Sequence, residues 1–265
     1  MKKRYTLLCG FLLLILNTML VAQSVVEKGR SLYQSKRYEE AASAFESIKE
    51  GSANYAVAQF YLGRIAFDKK EFDDAVDYFL EATEADTQTG DYFAWLGDAY
   101  AAIGADASIF RQMSVGPKAM KAWEKAVDLD PKHIGARYSL IGAYAVAPSM
   151  MGGGQEKTNA MAKETLPLLE ESLRKSPDNY IHSYWYGRIS AMTGLELSKG
   201  EGCLRKYLTY TPKEGEPKLG GANMRLAQIM EKQGNKAEAK KYFEAALKID
   251  PSLKGAKEGL ARVSK

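Results

Sequence analysis

The chain has 265 residues, 46% hydrophobic and 26% charged, too apolar a composition for a disordered protein. Thirty-seven basic residues against 33 acidic ones give a net charge of +4, but Lys2, Lys3 and Arg4 stand in the first 22 residues, and without that stretch the net charge falls to +1. A near-neutral body gives no electrostatic footprint for nucleic acid, and of the two cysteines, Cys9 and Cys203, only the second lies beyond that stretch, so no internal disulfide is expected.

Residues 1–22 form a basic start, an apolar run from Leu7 to Leu16 broken by Asn17-Thr18, and small Ala22 before Gln23. These are the three parts of a cleavable secretory signal peptide. The alternative is an uncleaved anchor, but the run is shorter than the roughly 20 apolar residues that span a bilayer. Cys9 has no apolar region before it, which excludes it as a lipid attachment site. The expectation is an exported protein, periplasmic or secreted, with no stable membrane insertion after cleavage.

From Gln23 onward the chain repeats. Gly29, Gly63 and Gly97 are 34 residues apart, and so are Ala41 and Ala75. The clearest unit, Tyr55 to Thr87, reads as two short amphipathic helices meeting at Lys69-Lys70. Leu62, Gly63, Ala66, Ala75, Phe79 and Ala82 place small residues where helices approach closely and large ones where repeats abut. Such a unit cannot bury its own apolar face, so it needs neighbours. The repeats run over 23–55, 56–90, 91–132, 133–178, 179–218 and 219–252. The third carries about ten extra residues around Gly104 to Pro117. The fourth has a Pro148 to Gly154 insertion before a long second helix from about Gln155 to Lys175. Residue-Pro pairs at 130–131, 176–177, 211–212 and 250–251 stop the second helices, because proline disfavours helical geometry in the residue before it. Residues 253–265 carry an apolar stripe of Leu253, Ala256, Leu260 and Val263 and read as a capping helix.

On these residues the chain resembles the tetratricopeptide repeat superfamily, in particular its exported bacterial members, over about residues 23–251 plus the cap. The resemblance implies an all-α, right-handed solenoid of about six helix-turn-helix repeats whose first helices line a concave groove for a peptide segment or a partner's helix. The Pro148 to Lys157 insertion also resembles a Gly-Gly loop seen in some exported bacterial members, with no activity attached. Carried over residue by residue, the groove positions are Arg30, Arg64, Asp98, Gly142, Arg188 and Gln228 in one row; Val26, Phe60, Ala94, Tyr138, Tyr184 and Met224 in a second; and Tyr33, Phe67, Ala101, Ala145, Ala191 and Glu231 in a third. The partner-binding set expected from them is Arg30, Tyr33, Phe60, Arg64, Phe67, Asp98, Tyr138, Tyr184 and Arg188. Arginine grips carboxylates bidentately, and aromatic side chains cover area at little entropic cost. The arginines are expected to be solvent-facing. The Lys and Asn clamp that some members use for chaperone tails is missing, since its positions hold Val26, Arg30, Tyr61 and Trp95. Trp95, Trp123 and Trp185 read as packing residues.

Nothing selects an enzyme. In Gly152 to Thr158, Glu156 stands where a phosphate loop needs glycine before Lys157-Thr158. His133 and His182 are in no metal-ligand spacing and Cys203 has no nearby cysteine. The sequence predicts no catalytic residue, no metal and no cofactor. The reading is a non-enzymatic scaffold or adaptor of the cell envelope that binds a partner protein. The alternative is a small-molecule-binding accessory subunit of a transport system, which a closed cavity lined by Tyr138, Tyr184 and Arg188 would favour. An enzyme using a tunnel made by the insertions is a third reading, for which no catalytic constellation exists.

Overall fold

Helices pair here because small residues let them approach. Gly29, Gly63 and Gly97 face Phe45, Phe79 and Trp123 of the following helix so closely that a β-carbon on Gly63 would lie 2.6 Å from the Phe79 ring. The computed structural model describes residues 25–105 and 107–265. The expected signal peptide, residues 1–22, lies outside them. Among the described residues the structure is all helical, with no strand.

The chain divides into two compact units, up to His133 and from Ile134. The first holds three helix pairs: α1 (25–34) with α2 (Tyr38–Glu46), α3 (Tyr55–Asp68) with α4 (Phe72–Ala85), and α5 (Gly90–Ala105) with α6 (Ile109–Leu129). Its core has two parts. Val26, Leu32, Phe45, Leu62 and Ile65 close the first pair on α3, and Phe60, Val76, Phe79, Tyr92 and Leu96 close the second on α5. The second unit holds α7 (Ile134–Val146) with α8 (Gln155–Lys175), α9 (Tyr180–Thr193) with α10 (Leu197–Tyr207), α11 (Leu219–Lys232) with α12 (Lys236–Ile249), and a last helix, α13 (Lys254–Val263). Ile141, Leu166, Leu169, Tyr186 and Ile189 form one cluster there, and Leu204, Tyr207, Leu226, Ile229 and Phe243 another.

The turns inside the pairs share one device. Lys36, Lys70 and Gly234 all have positive φ, at 58°, 66° and 82°. After each, the next residue's N–H reaches back across the helix end: Arg37 to the Leu32 carbonyl, Glu71 to Ala66 and Asn235 to Met230, each at 2.9 Å. This is the left-handed cap that ends a helix and reverses the chain.

The insertions differ from each other. The extra residues of the third repeat form no separate loop. They lengthen the pair at both ends of a short turn: α5 runs on to Ala105, and α6 starts at Ile109 with Ser108 as its N-cap and passes through Pro117. In the fourth repeat a 3-10 turn (Ser149–Met151) precedes α8, which spans the range expected of it. The glycines there are set by geometry. Gly152 and Gly154 have φ of 88° and 116°, and a β-carbon on Gly153 would lie 2.1 Å from the Ala147 carbonyl oxygen. The Gly154 N–H is held by the Tyr144 carbonyl at 2.8 Å. This is a tight turn, where the sequence reads as a flexible one.

α13 closes the second unit as a cap should. Ala256, Gly259 and Val263 are buried, Gly259 lies directly on the Phe243 ring, and Arg262 holds both oxygens of Glu231 at 2.8 and 2.9 Å.

Candidate functional site

In the first unit the expected residues project from α1, α3 and α5, where spacings of three and four put side chains on one helical face. Arg64 is the centre. Its guanidinium carbon sits 3.8 Å from the Trp95 ring centre, 5.3 Å from Tyr33 and 5.7 Å from Phe60. A cation over an aromatic face is attracted by the ring's quadrupole. The Arg64 Nε is buried and has no hydrogen-bond partner, and among the described residues no carboxylate is in ion-pair range of Arg64. Arg30 is exposed and lies 5.5 Å over Tyr61. The Tyr33 hydroxyl donates to Asp68 Oδ2 at 2.7 Å, and Tyr38 donates to the same oxygen at 3.2 Å. Burial first, and then the bond to Asp68, push the Tyr33 phenol well above its ordinary pKa, so it stays a neutral donor. Phe67 stands edge-on to Trp95 at 5.3 Å.

In the second unit α7, α9 and α11 supply the equivalent face. Tyr138 stacks on Trp185 at 4.5 Å and 15°. The Arg188 guanidinium covers Tyr138 at 4.9 Å. It reaches over α7 because Gly142 has no side chain to block it. No carboxylate of the described residues is in ion-pair range of Arg188. Burial raises the Tyr138 phenol, with Arg188 opposing.

Three expected residues sit differently. Phe60 and Tyr184 are 8% and 9% exposed and belong to the hydrophobic core; they form the floor of the face. Asp98 accepts the Trp123 Nε1 hydrogen at 2.9 Å and so ties α5 to α6. Nor are Arg64 and Arg188 solvent-facing as expected; both are half-buried against rings. Of the nine residues, Arg30, Tyr33, Phe60, Arg64, Phe67 and Asp98 lie in the first unit, and Tyr138, Tyr184 and Arg188 in the second.

Sequence reasoning passed over Tyr61, Trp95, Trp185 and Arg225. All occupy one repeat position, two residues before Gly63, Gly97, Gly187 and Ala227 respectively. That shared position was the available signal. Trp95 and Trp185 do pack, as expected, and they also carry the faces under Arg64 and beside Tyr138.

The remaining chemistry is quiet. No cluster of three or more metal-ligating side chains exists among the described residues. His133 pairs with Asp91 at 3.1 Å, and His182 Nδ1 lies 2.7 Å from Ser172 Oγ. Burial pushes the Cys203 thiol up to about 11, which keeps it protonated and unreactive. Open depressions of about 490, 480 and 360 Å³ occur on the units, and none of the three is lined by Tyr138, Tyr184 or Arg188. Large exposed apolar side chains gather at the insertions: Ile109, Phe110 and Met113 open α6, with Phe110 81% exposed, and Val146 and Met150 flank the glycine turn.

Stacked helical hairpins with small residues in fixed register define a helical repeat protein. Models of the tetratricopeptide repeat family match residues 26–89 and 221–253, so the chain carries tetratricopeptide repeats at both ends of its helical array. No curated protein matches its sequence. The fold is similar to that of PilW, a type IV pilus biogenesis factor, at 15% identity over 91% of this chain and 98% of that one, with a TM-score of 0.54. It is also similar to pilF of Pseudomonas aeruginosa, at 13% identity over 91% and 97%, TM-score 0.56. YrrB, described as a tetratricopeptide protein with an unusual peptide-binding site, matches at 15% identity over 82% and 97%, TM-score 0.52. Tetratricopeptide folds are scaffolds for protein–protein interaction, and at these identities the likeness concerns fold alone.

Proposed function

We propose that this protein is a non-enzymatic scaffold of the cell envelope that binds a peptide segment or helix of a partner protein on the first-helix face of each unit. The observation that carries the reading is the pair Arg64 and Arg188. Each guanidinium lies over aromatic surface and, among the described residues, has no carboxylate in ion-pair range. A fixed, desolvated arginine beside aromatic surface suits an acidic or chain-terminal group flanked by apolar side chains. YrrB offers a precedent for peptide binding on the fold. The signal-peptide pattern of residues 1–22 supports a place in the envelope. The small-molecule alternative gains nothing from the cavities, since the three described above do not include its expected lining.

The test is affinity capture from envelope extract, with the chain from Gln23 as bait beside its Arg64→Met, Arg188→Met double variant. Proteins retained by the first and lost from the second are the expected result. An identical set on both baits contradicts the reading.

A further inference from the structure

A cavity of about 480 Å³ opens in the second unit between α9, α11 and α13. Arg225, Gln228, Lys232, Glu231 and Arg262 line it, with Met192 at its edge. Both oxygens of Glu231 are taken by Arg262, so the one acid of the cavity is already neutralised. Arg225 has no such partner. Its Nη1 donates to Gln228 Oε1 at 2.9 Å, while its Nε is buried without a hydrogen-bond partner. Among the described residues no carboxylate is in ion-pair range of Arg225. Burial, and after it the charge of Arg188, pulls the Arg225 pKa below the ordinary guanidinium value, while Tyr184, through its charge and a hydrogen bond, and Tyr138 oppose the shift. A half-buried guanidinium with no counter-charge of its own is a costly arrangement. It is relieved by an anion.

We propose that this cavity is an oxyanion site, in which a carboxylate or phosphate accepts from the guanidinium of Arg225, with Lys232 completing the charge balance. Arg225 is held in place for this by Gln228, and the Glu231–Arg262 pair forms a wall that does not compete. The inference is independent of a partner protein, because the site is complete within one unit and a free anion can fill it. A guanidinium lining an open cavity is an arrangement that oxyanion binding uses. The two sources of such a group are a free small anion and the terminal carboxylate of a bound chain.

The experiment titrates the purified protein with sodium phosphate, with N-acetyl-trialanine and with its C-terminal amide, at constant ionic strength in chloride. Melting temperature and the arginine Nε–Hε resonances are followed. A saturable shift of the Arg225 resonance with a rise in melting temperature is expected for phosphate, for the free-acid peptide, or for both, and their ratio identifies the source. The amide should have no effect. Arg225→Met should melt no lower than the wild type without added anion, and should bind the effective probe at least tenfold more weakly. Lys232→Gln, a milder change at an exposed rim, should weaken it less. No saturable response to either acid overturns the proposal, and so does an equal response in Arg225→Met and the wild type. Should Arg225→Met fail to fold, the resonance titration of the unaltered protein and of Lys232→Gln still decides.

Discussion

Arg64 lies against Trp95 instead of standing in water, and that contact sets what its loss should do. Arg64→Ala removes a close cation–π contact and the packing of the side-chain stem, so it should cost about 1–2 kcal/mol in denaturant titration. Arg64→Met keeps the stem on the ring and removes the unpartnered Nε, and should fall within about 0.5 kcal/mol of the wild type. A larger loss in the methionine variant would make the guanidinium structural. Lys70 is informative in another way. Its φ of 66° is a conformation that L side chains adopt at a cost, and Gly234 occupies the matching position of the sixth repeat without that cost. Lys70→Gly should therefore stabilise the protein by about 0.5–1 kcal/mol. A lower melting temperature would contradict that account of the turn. His182 couples the fold to pH. Burial lowers its pKa in the folded state, so between that value and the unfolded value near 6.5 the unfolded chain binds more protons. Stability should then fall as pH drops through this window, before the carboxylates titrate. His182→Gln should flatten the slope there, and an unchanged slope would assign it to other groups.

At the scale of the helix, the register of Gly29, Gly63 and Gly97 stated where pairs would cross, and the residue-Pro pairs stated where second helices would stop. Both are local properties: a missing β-carbon and a missing N–H act wherever they stand. The surplus residues of the third repeat were not legible in the same way. Period counting shows that residues are added but not whether they form loop or helix, and about two turns of α6, 21 residues long against 14 in α4, were built from them. The faces under Arg64 and Arg188 were half legible. Each arginine could be placed on its helix, but Trp95 and Tyr138 reach it from neighbouring repeats, and the depth of that contact depends on the packing of both. Arg225 was missed because the row it shares with Tyr61, Trp95 and Trp185 was not among the three carried over as groove positions. Two element-level outcomes check the packing. Gly63→Ala would force a β-carbon into the Phe79 ring and should cost about 1–3 kcal/mol by overpacking. Deleting α13 should expose Phe243 and Leu247, which lie in the cluster it covers, at about 1.5–3 kcal/mol for each large side chain uncovered. By contrast Phe110→Ser, at an exposed insertion site, should change stability by no more than about 0.5 kcal/mol. Equal melting curves for wild type and the α13 deletion would remove the cap assignment.

For the molecule as a whole, the two units carry the same design: first helices that present aromatic rings with arginine laid over them, and large core residues supplied by both helices of each pair. No helix among the described residues is long and apolar enough to cross a membrane. The proposal of export rests on the pattern of residues 1–22, and mass spectrometry of the purified chain should then find its first residue at or near Gln23; intact residues 1–22 would argue for an anchor instead. The central claim is that Arg64 and Arg188 serve a partner more than the fold. The most direct measurement is calorimetric titration of a captured partner, or of the segment of it that binds, into the wild type and the Arg64→Met, Arg188→Met variant, with both melting temperatures recorded. The account predicts near-equal melting and a loss of affinity of about 1.5–3 kcal/mol for each charge-assisted contact removed, tenfold or more in dissociation constant. Unchanged affinity with a lowered melting temperature would contradict it and make both arginines parts of the fold.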